Sequence, residues 1–190
     1  NVSIPQSPLL NVIIGGPLCK GKDYSQLTQT MIENGAKLIQ LREKEGETSQ
    51  LVQIAQALQK ICHENGAVFV VNDRVDVAAA AGADGVHLGQ NDISPQMARA
   101  LLGTGKIIGV SVDNLPQAQK AVAQGADYLG LGPAHPTTSK DCHLDAGGAA
   151  LIAEVAPHVD VPVLAIGGVT PENTMPLLKA GASGIAVISS

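Results

Sequence analysis

Seven short segments in this 190-residue chain carry residues able to hold and activate an anion. The run Gln40-Leu41-Arg42-Glu43-Lys44 ends an apolar stretch. Residues two apart on an extended chain share a side, so Gln40, Arg42 and Lys44 can converge. Two cations and an amide suit a diphosphate, whereas Glu43 and Glu45 leave open the plainer reading of a solvated charge run. Asn72-Asp73-Arg74 and His87-Leu88-Gly89-Gln90-Asn91-Asp92 each end a further apolar run and each bring one carboxylate. Two carboxylates at neighbouring positions match Mg²⁺, which takes one or two of them and completes its shell with phosphate oxygens. The alternatives are a helix cap or an ion pair with Arg74 for Asp73, and a cap near Ser94 for Asp92. His87 reads as a hydrogen-bonded interior histidine, because no second His or Cys stands at ligand spacing.

The remaining clusters have phosphate chemistry. Ser111 can donate to a phosphate or cap a helix. The loop Gly130-Leu131-Gly132-Pro133-Ala134-His135-Pro136-Thr137-Thr138-Ser139-Lys140 combines bare backbone, three hydroxyls and one mobile cation. Ile166-Gly167-Gly168-Val169-Thr170-Pro171 and Val187-Ile188-Ser189 offer backbone N–H groups, and Gly167 and Gly168 keep side chains out of the way.

The elements that position these clusters repeat. Five times a helical pattern ends in glycine followed by alanine and an apolar run, at Gly35, Gly66, Gly82, Gly125 and Gly181. Glycine adopts the left-handed conformation that closes a helix. The runs at 37–41, 68–71, 85–88, 128–131 and 184–188 read as strands, and those at 10–14, 106–110 and 161–166 complete a set of eight. The clearest helix covers 48–63, with Leu51, Ile54, Ala55, Leu58, Ile61 and Cys62 on one face. Ser94-Pro95 and Thr170-Pro171 are helix starts. Strand and helix alternate through eight strands, which predicts an α/β fold: a parallel, eight-stranded (β/α)8 TIM barrel with its chemistry at the strand ends. The loops after strands seven and eight are the recurrent phosphate site of such barrels. No Gly-x-Gly-x-x-Gly turn follows the first strand, which disfavours the open doubly wound sheet. The sequence stops at Ser190, at the end of the eighth predicted strand, so the barrel is expected to lack its final helix within this chain.

Composition removes other classes. The chain is 45% hydrophobic and 15% charged with a net charge of -5, which excludes disorder as its main state. No basic cluster suits nucleic acid, no apolar run spans a bilayer, and three scattered cysteines imply no disulfide framework. A single domain over 1–190 in the cytoplasm is expected.

Seven motifs in register from about Gly35 onward give the chain a family resemblance. Gln40-Leu41-Arg42-Glu43-Lys44, Asn72-Asp73-Arg74-Val75-Asp76, Gly85-Val86-His87-Leu88-Gly89-Gln90-Asn91-Asp92 and Gly109-Val110-Ser111 resemble thiamine-phosphate synthase. So do Gly130-Leu131-Gly132-Pro133, the run from Ala165 to Asn173, and Ala186-Val187-Ile188-Ser189. The resemblance implies joining of 4-amino-2-methyl-5-hydroxymethylpyrimidine diphosphate to a thiazole phosphate, with release of diphosphate. It implies Gln40, Arg42, Lys44 and Asn72 on the pyrimidine diphosphate, Asp73 and Asp92 on Mg²⁺, and Ser111 and Lys140 on the diphosphate. Thr137, Ser139, Gly168, Ile188 and Ser189 would hold the thiazole phosphate, and Arg42, Lys44, Ser111 and Lys140 would do the catalytic work. The partners implied are these small molecules, with room for a homo-oligomer or a further domain beyond residue 190. The chain departs from the family pattern at Ile14-Gly15-Gly16, where Thr-Asp is usual, and at Asp113, His135 and Ser139. Other readings are a thiazole tautomerase of the same fold, with His135 as proton shuttle, and a phosphate-binding barrel without activity.

Overall fold

A computed structural model describes residues 2–16, 19, 21–135 and 148–188. The order is β1 (Leu9–Ile14), α1 (Tyr24–Glu33), β2 (Leu38–Leu41), α2 (Thr48–Glu64), β3 (Val68–Asn72), α3 (Val75–Ala81), β4 (Gly85–Leu88) and α4 (Pro95–Leu102). It continues with β5 (Ile107–Val112), α5 (Leu115–Ala123), β6 (Tyr128–Leu131), α6 (Gly148–Val155), a 3₁₀ turn (Ala156–His158), β7 (Val163–Ile166), α7 (Pro171–Lys179) and β8 (Gly184–Ile188). All eight strands pair in parallel in chain order, and β8 closes on β1. Most strand residues are buried on both faces, as a parallel sheet covered by helices requires.

The glycine-alanine repeat has a single physical origin. Gly35, Gly66, Gly82, Gly125 and Gly181 all have positive φ. The alanine after each returns its N–H to a carbonyl of the last helical turn: Ala36 to Met31, Ala67 to Cys62, Ala83 to Ala78, Ala126 to Ala121 and Ala182 to Leu177, at 2.8–3.1 Å. This is the Schellman closure, and each alanine is buried as its strand begins.

Two predicted boundaries move by two residues, and others, such as the starts of β1, β2 and β5, move by one. β5 runs to Val112 rather than Val110, because Ser111 and Val112 pair with Gly130 and Leu131 of β6. β7 begins at Val163 rather than Val161, since Pro162 offers only its carbonyl, to Leu129 N–H.

The interior divides into two parts. Leu9, Leu38, Val68, Val70, Ile107, Tyr128 and Leu164 pack inside the barrel at its N-terminal half and form a floor. The larger cluster lies between strands and helices. Above the floor several inward positions are Gly or Ala, which leaves an open mouth. Among the described residues, no helix is long and apolar enough to cross a membrane.

Candidate active site at the barrel mouth

The strand ends surround a cavity of about 560 Å³. Gln40, Arg42, Lys44, Asn72, Asp73, Asp92, Ser111, Gly168 and Ile188 all line it, so nine of the predicted site residues converge. Thr137, Ser139, Lys140 and Ser189 lie outside the described residues.

Alternation along β2 explains the first cluster. Gln40 is 2% exposed and points into the barrel, and Arg42 and Lys44 follow on the same side. Glu43 points the other way and is not part of a solvated run. Its Oε2 accepts from the Tyr24 hydroxyl at 2.7 Å and from Gly16 N–H at 3.2 Å. Burial pushes its pKa up, but these donors win and hold the carboxyl below its usual range. Glu43 therefore ties β2 to the end of β1. The contact is close enough to demand glycine: a Cβ on Gly15, at φ +124°, would lie 2.5 Å from the Arg42 carbonyl oxygen. The departure at strand one is thus matched to the backbone that carries Arg42.

Asp73 caps no helix and does not pair with Arg74. Arg74 bonds instead to Asp76, at 2.6 Å, and to Thr48. Among the described residues Asp73 is the one non-glycine with positive φ, at 61°, a conformation aspartate tolerates better than most. Its N–H donates to the His87 carbonyl at 2.8 Å, and this turn aims the carboxylate into the mouth. There it meets Asp92 and stands 3.8 Å from Lys44 Nζ. Burial, then hydrogen bonding and charge from Asp92, push its pKa up to about 6 against the pull of Lys44 and Arg42. Asp92 Oδ2 accepts from Gly89 N–H at 2.7 Å, whereas α4 is capped by Ser94, whose Oγ accepts from Met97 N–H. Two carboxylates this close bind a proton readily, and a divalent cation suits the same oxygens. Among the described residues no group of three or more His, Cys, Asp or Glu forms a metal cage, so any cation here would take further oxygens from water or ligand.

The far wall is bare backbone. A Cβ on Gly132 would meet the Ile166 carbonyl oxygen at 2.1 Å, and one on Gly167 would meet Pro133 at 2.9 Å. Asn173 holds this turn: its Nδ2 donates to the Gly168 carbonyl and its Oδ1 accepts from Thr170 N–H. His87, 4% exposed, is the interior histidine its lack of ligand spacing implies. Its Nδ1 lies 2.8 Å from the Tyr128 hydroxyl and its Nε2 2.8 Å from Ser111 Oγ.

A family model described as thiamine monophosphate synthase matches residues 10–190. The chain belongs to that family. It is 43% identical over 187 residues to a thiamine-phosphate synthase of Chlorobium limicola, covering 98% of this chain and 87% of that protein. It is 44% identical over 181 residues to one of Methanospirillum hungatei, covering 95% and 88%. The solved thiamine phosphate pyrophosphorylase of Pyrococcus furiosus superposes with a TM-score of 0.86 at 38% identity, covering 95% of this chain and 85% of that one.

For this family member, sequence reasoning missed part of the wall. Ile13, Gln90, Asp113, Val169 and Ala186 also line the cavity. Strand parity could have found Ile13 and Ala186, which pair with or sit beside inward positions already recognised. Gln90 stood within a recognised motif but was given no role, because it sits in a loop whose course only the fold reveals; its Nε2 donates to the Ser111 carbonyl at 2.7 Å.

Proposed function

We propose that this chain is a thiamine-phosphate synthase that transfers the pyrimidine methylene group from diphosphate to the nitrogen of a thiazole phosphate. The observation that carries the reading is the placement of Arg42 and Lys44 against Asp73 and Asp92 within one mouth, in a chain of this family.

The bond that breaks joins the methylene carbon to a diphosphate oxygen, and the oxygen keeps the electron pair. The aminopyrimidine ring can spread the positive charge left on the methylene, so the barrier is governed by charge collecting on the leaving group. Arg42 and Lys44 meet that charge in a partly enclosed site, where fixed cations are worth more than in water. Gln40 and Asn72, rising from the barrel interior, orient the pyrimidine. Ser111 donates to the diphosphate. The bare turn at Gly167 and Gly168, with Ile188 opposite, receives the thiazole phosphate through backbone N–H groups. The thiazole nitrogen already carries the attacking pair, so no protein base is needed. Orientation of two substrates in one mouth supplies much of the acceleration. Asp73 and Asp92 would hold Mg²⁺, which when bound neutralises part of the diphosphate charge. We place the enzyme in the cytoplasm, with these small molecules as its partners.

The test is turnover with both substrates and Mg²⁺, following diphosphate release and thiamine phosphate together. Metal-dependent product that collapses in Asp73→Asn supports the assignment. Thiazole phosphate binding without product would favour the tautomerase or the inactive barrel.

A further inference from the structure

The chain has three aromatic residues. One of them, Tyr128, is fully buried in the barrel floor with a polar hydroxyl to satisfy. Its one hydrogen-bond partner among the described residues is His87 Nδ1, at 2.8 Å. Three strands cooperate in this contact. His87 of β4 pairs in register with Gly109 of β5, which pairs with Tyr128 of β6. A Cβ on Gly109 would fall 2.1 Å from the Tyr128 ring, and one on Gly130 would fall 3.2 Å from His87 Cε1. Both glycines leave the space that the two rings fill, with centroids 5.4 Å apart.

The direction of the hydrogen bonds follows from donor and acceptor arithmetic. Burial pushes the Tyr128 phenol far above its ordinary pKa, so it stays protonated and its proton needs an acceptor. His87 Nδ1 is that acceptor, which leaves the ring proton on Nε2. Nε2–H then donates to Ser111 Oγ at 2.8 Å, and the serine hydroxyl, already accepting there, turns its own proton into the mouth. Gln90 Nε2 donates to the Ser111 carbonyl.

We infer that Tyr128 and His87 are positioning residues that fix the Ser111 hydroxyl as a donor toward the mouth, where it meets a diphosphate oxygen. The inference rests on the proposed function for Ser111 and adds a buried, one-way relay behind it. In the opposite polarity Ser111 would donate to the imidazole and present only lone pairs to an anion.

Two measurements test it. Nitrogen NMR of the ¹⁵N-histidine-labelled protein, assigned with His87→Asn, reports which ring nitrogen carries the proton; Nε2–H is expected, and Nδ1–H overturns the relay. The dissociation constant of diphosphate with excess Mg²⁺ is then measured for Tyr128→Phe, Ser111→Ala and the double variant. A hydrogen bond to a charged group corresponds to about tenfold or more in affinity, so each single variant should weaken diphosphate by roughly that factor. The double variant should be no weaker than Ser111→Ala, and the KM for thiazole phosphate should stay within about twofold in Tyr128→Phe. Additive losses, or an equal loss of both ligands, overturn the relay while leaving Ser111 on the diphosphate. An unchanged diphosphate affinity in Ser111→Ala overturns the diphosphate assignment itself, and the inference with it.

Discussion

Replacing Gly15 by alanine should damage catalysis through the Arg42 backbone, and a second glycine makes the experiment quantitative. Gly15 and Gly35 have similar positive φ, +124° and +101°. At Gly35 an added Cβ has nothing within 4 Å, whereas at Gly15 it lies 2.5 Å from the Arg42 oxygen and 2.9 Å from its carbon. Gly35→Ala therefore reports only the cost of forcing a side chain into a left-handed conformation, about 1–2 kcal/mol. In a domain of this size each kcal/mol lowers Tm by about 2–4 °C. Gly15→Ala bears a comparable cost and must also push the end of β2 away. The oxygen has to retreat by about half an ångström before the contact becomes tolerable, since real Cβ atoms stay beyond 3.0 Å. A displacement of about 1 Å in a positioning element can cost about 100-fold in rate, so half of it corresponds to about tenfold. Steady-state kinetics on both variants, with melting curves alongside, should show kcat/KM for the pyrimidine diphosphate down about tenfold in Gly15→Ala and unchanged in Gly35→Ala. Similar Tm losses with full activity in both would refute the idea that Gly15 protects the placement of Arg42.

Three further outcomes are expected. Arg42→Ala should lower turnover by about 100-fold or more while Tm moves little, because the side chain faces the open mouth rather than the core. Without metal, the raised pKa of Asp73 means that its contribution to stability is fully present below its unfolded value, near 3.8, and is lost as pH climbs through about 6. Melting with and without MgCl₂ from pH 5 to 8 should accordingly show a Mg²⁺-induced rise in Tm that grows across this window and vanishes in Asp73→Asn; a rise independent of pH would sink the shared-carboxylate account. At the opposite end of the barrel, buried Asp84 accepts from Phe69 N–H and binds His63 Nε2, both at 2.9 Å. Asp84→Ala should cost about 1–3 kcal/mol in denaturant unfolding and leave kcat per folded molecule unchanged.

Much of the framework was legible because it is written in local rules. The glycine-alanine closures need only the left-handed cap and a buried next residue, and they mark five strand starts. Parity along β2 separates Gln40, Arg42 and Lys44 from Glu43 without any tertiary knowledge. What the fold had to supply is contact between strands distant in sequence. Glu43 reads as solvated until Tyr24 and Gly16 are beside it. Asp73 reads as a cap until its positive φ turns it toward Asp92. The path from Tyr128 to Ser111 crosses three strands and depends on two side chains that are missing, at Gly109 and Gly130. Local periodicity gives no signal for an absence of that kind.

The bare upper interior has a consequence for how this protein can be improved. Where the floor is filled by leucine, valine and tyrosine, the positions above it include Gly130, Gly132 and Ala186, and the volume they forgo is the cavity itself. Substrates bound there as proposed would serve as the top layer of the hydrophobic and polar packing. Selection for thermal robustness alone would be expected to enlarge these residues, each step closing the mouth a little further. Engineering for stability should leave the mouth untouched and work on the helices, where added packing takes nothing from catalysis.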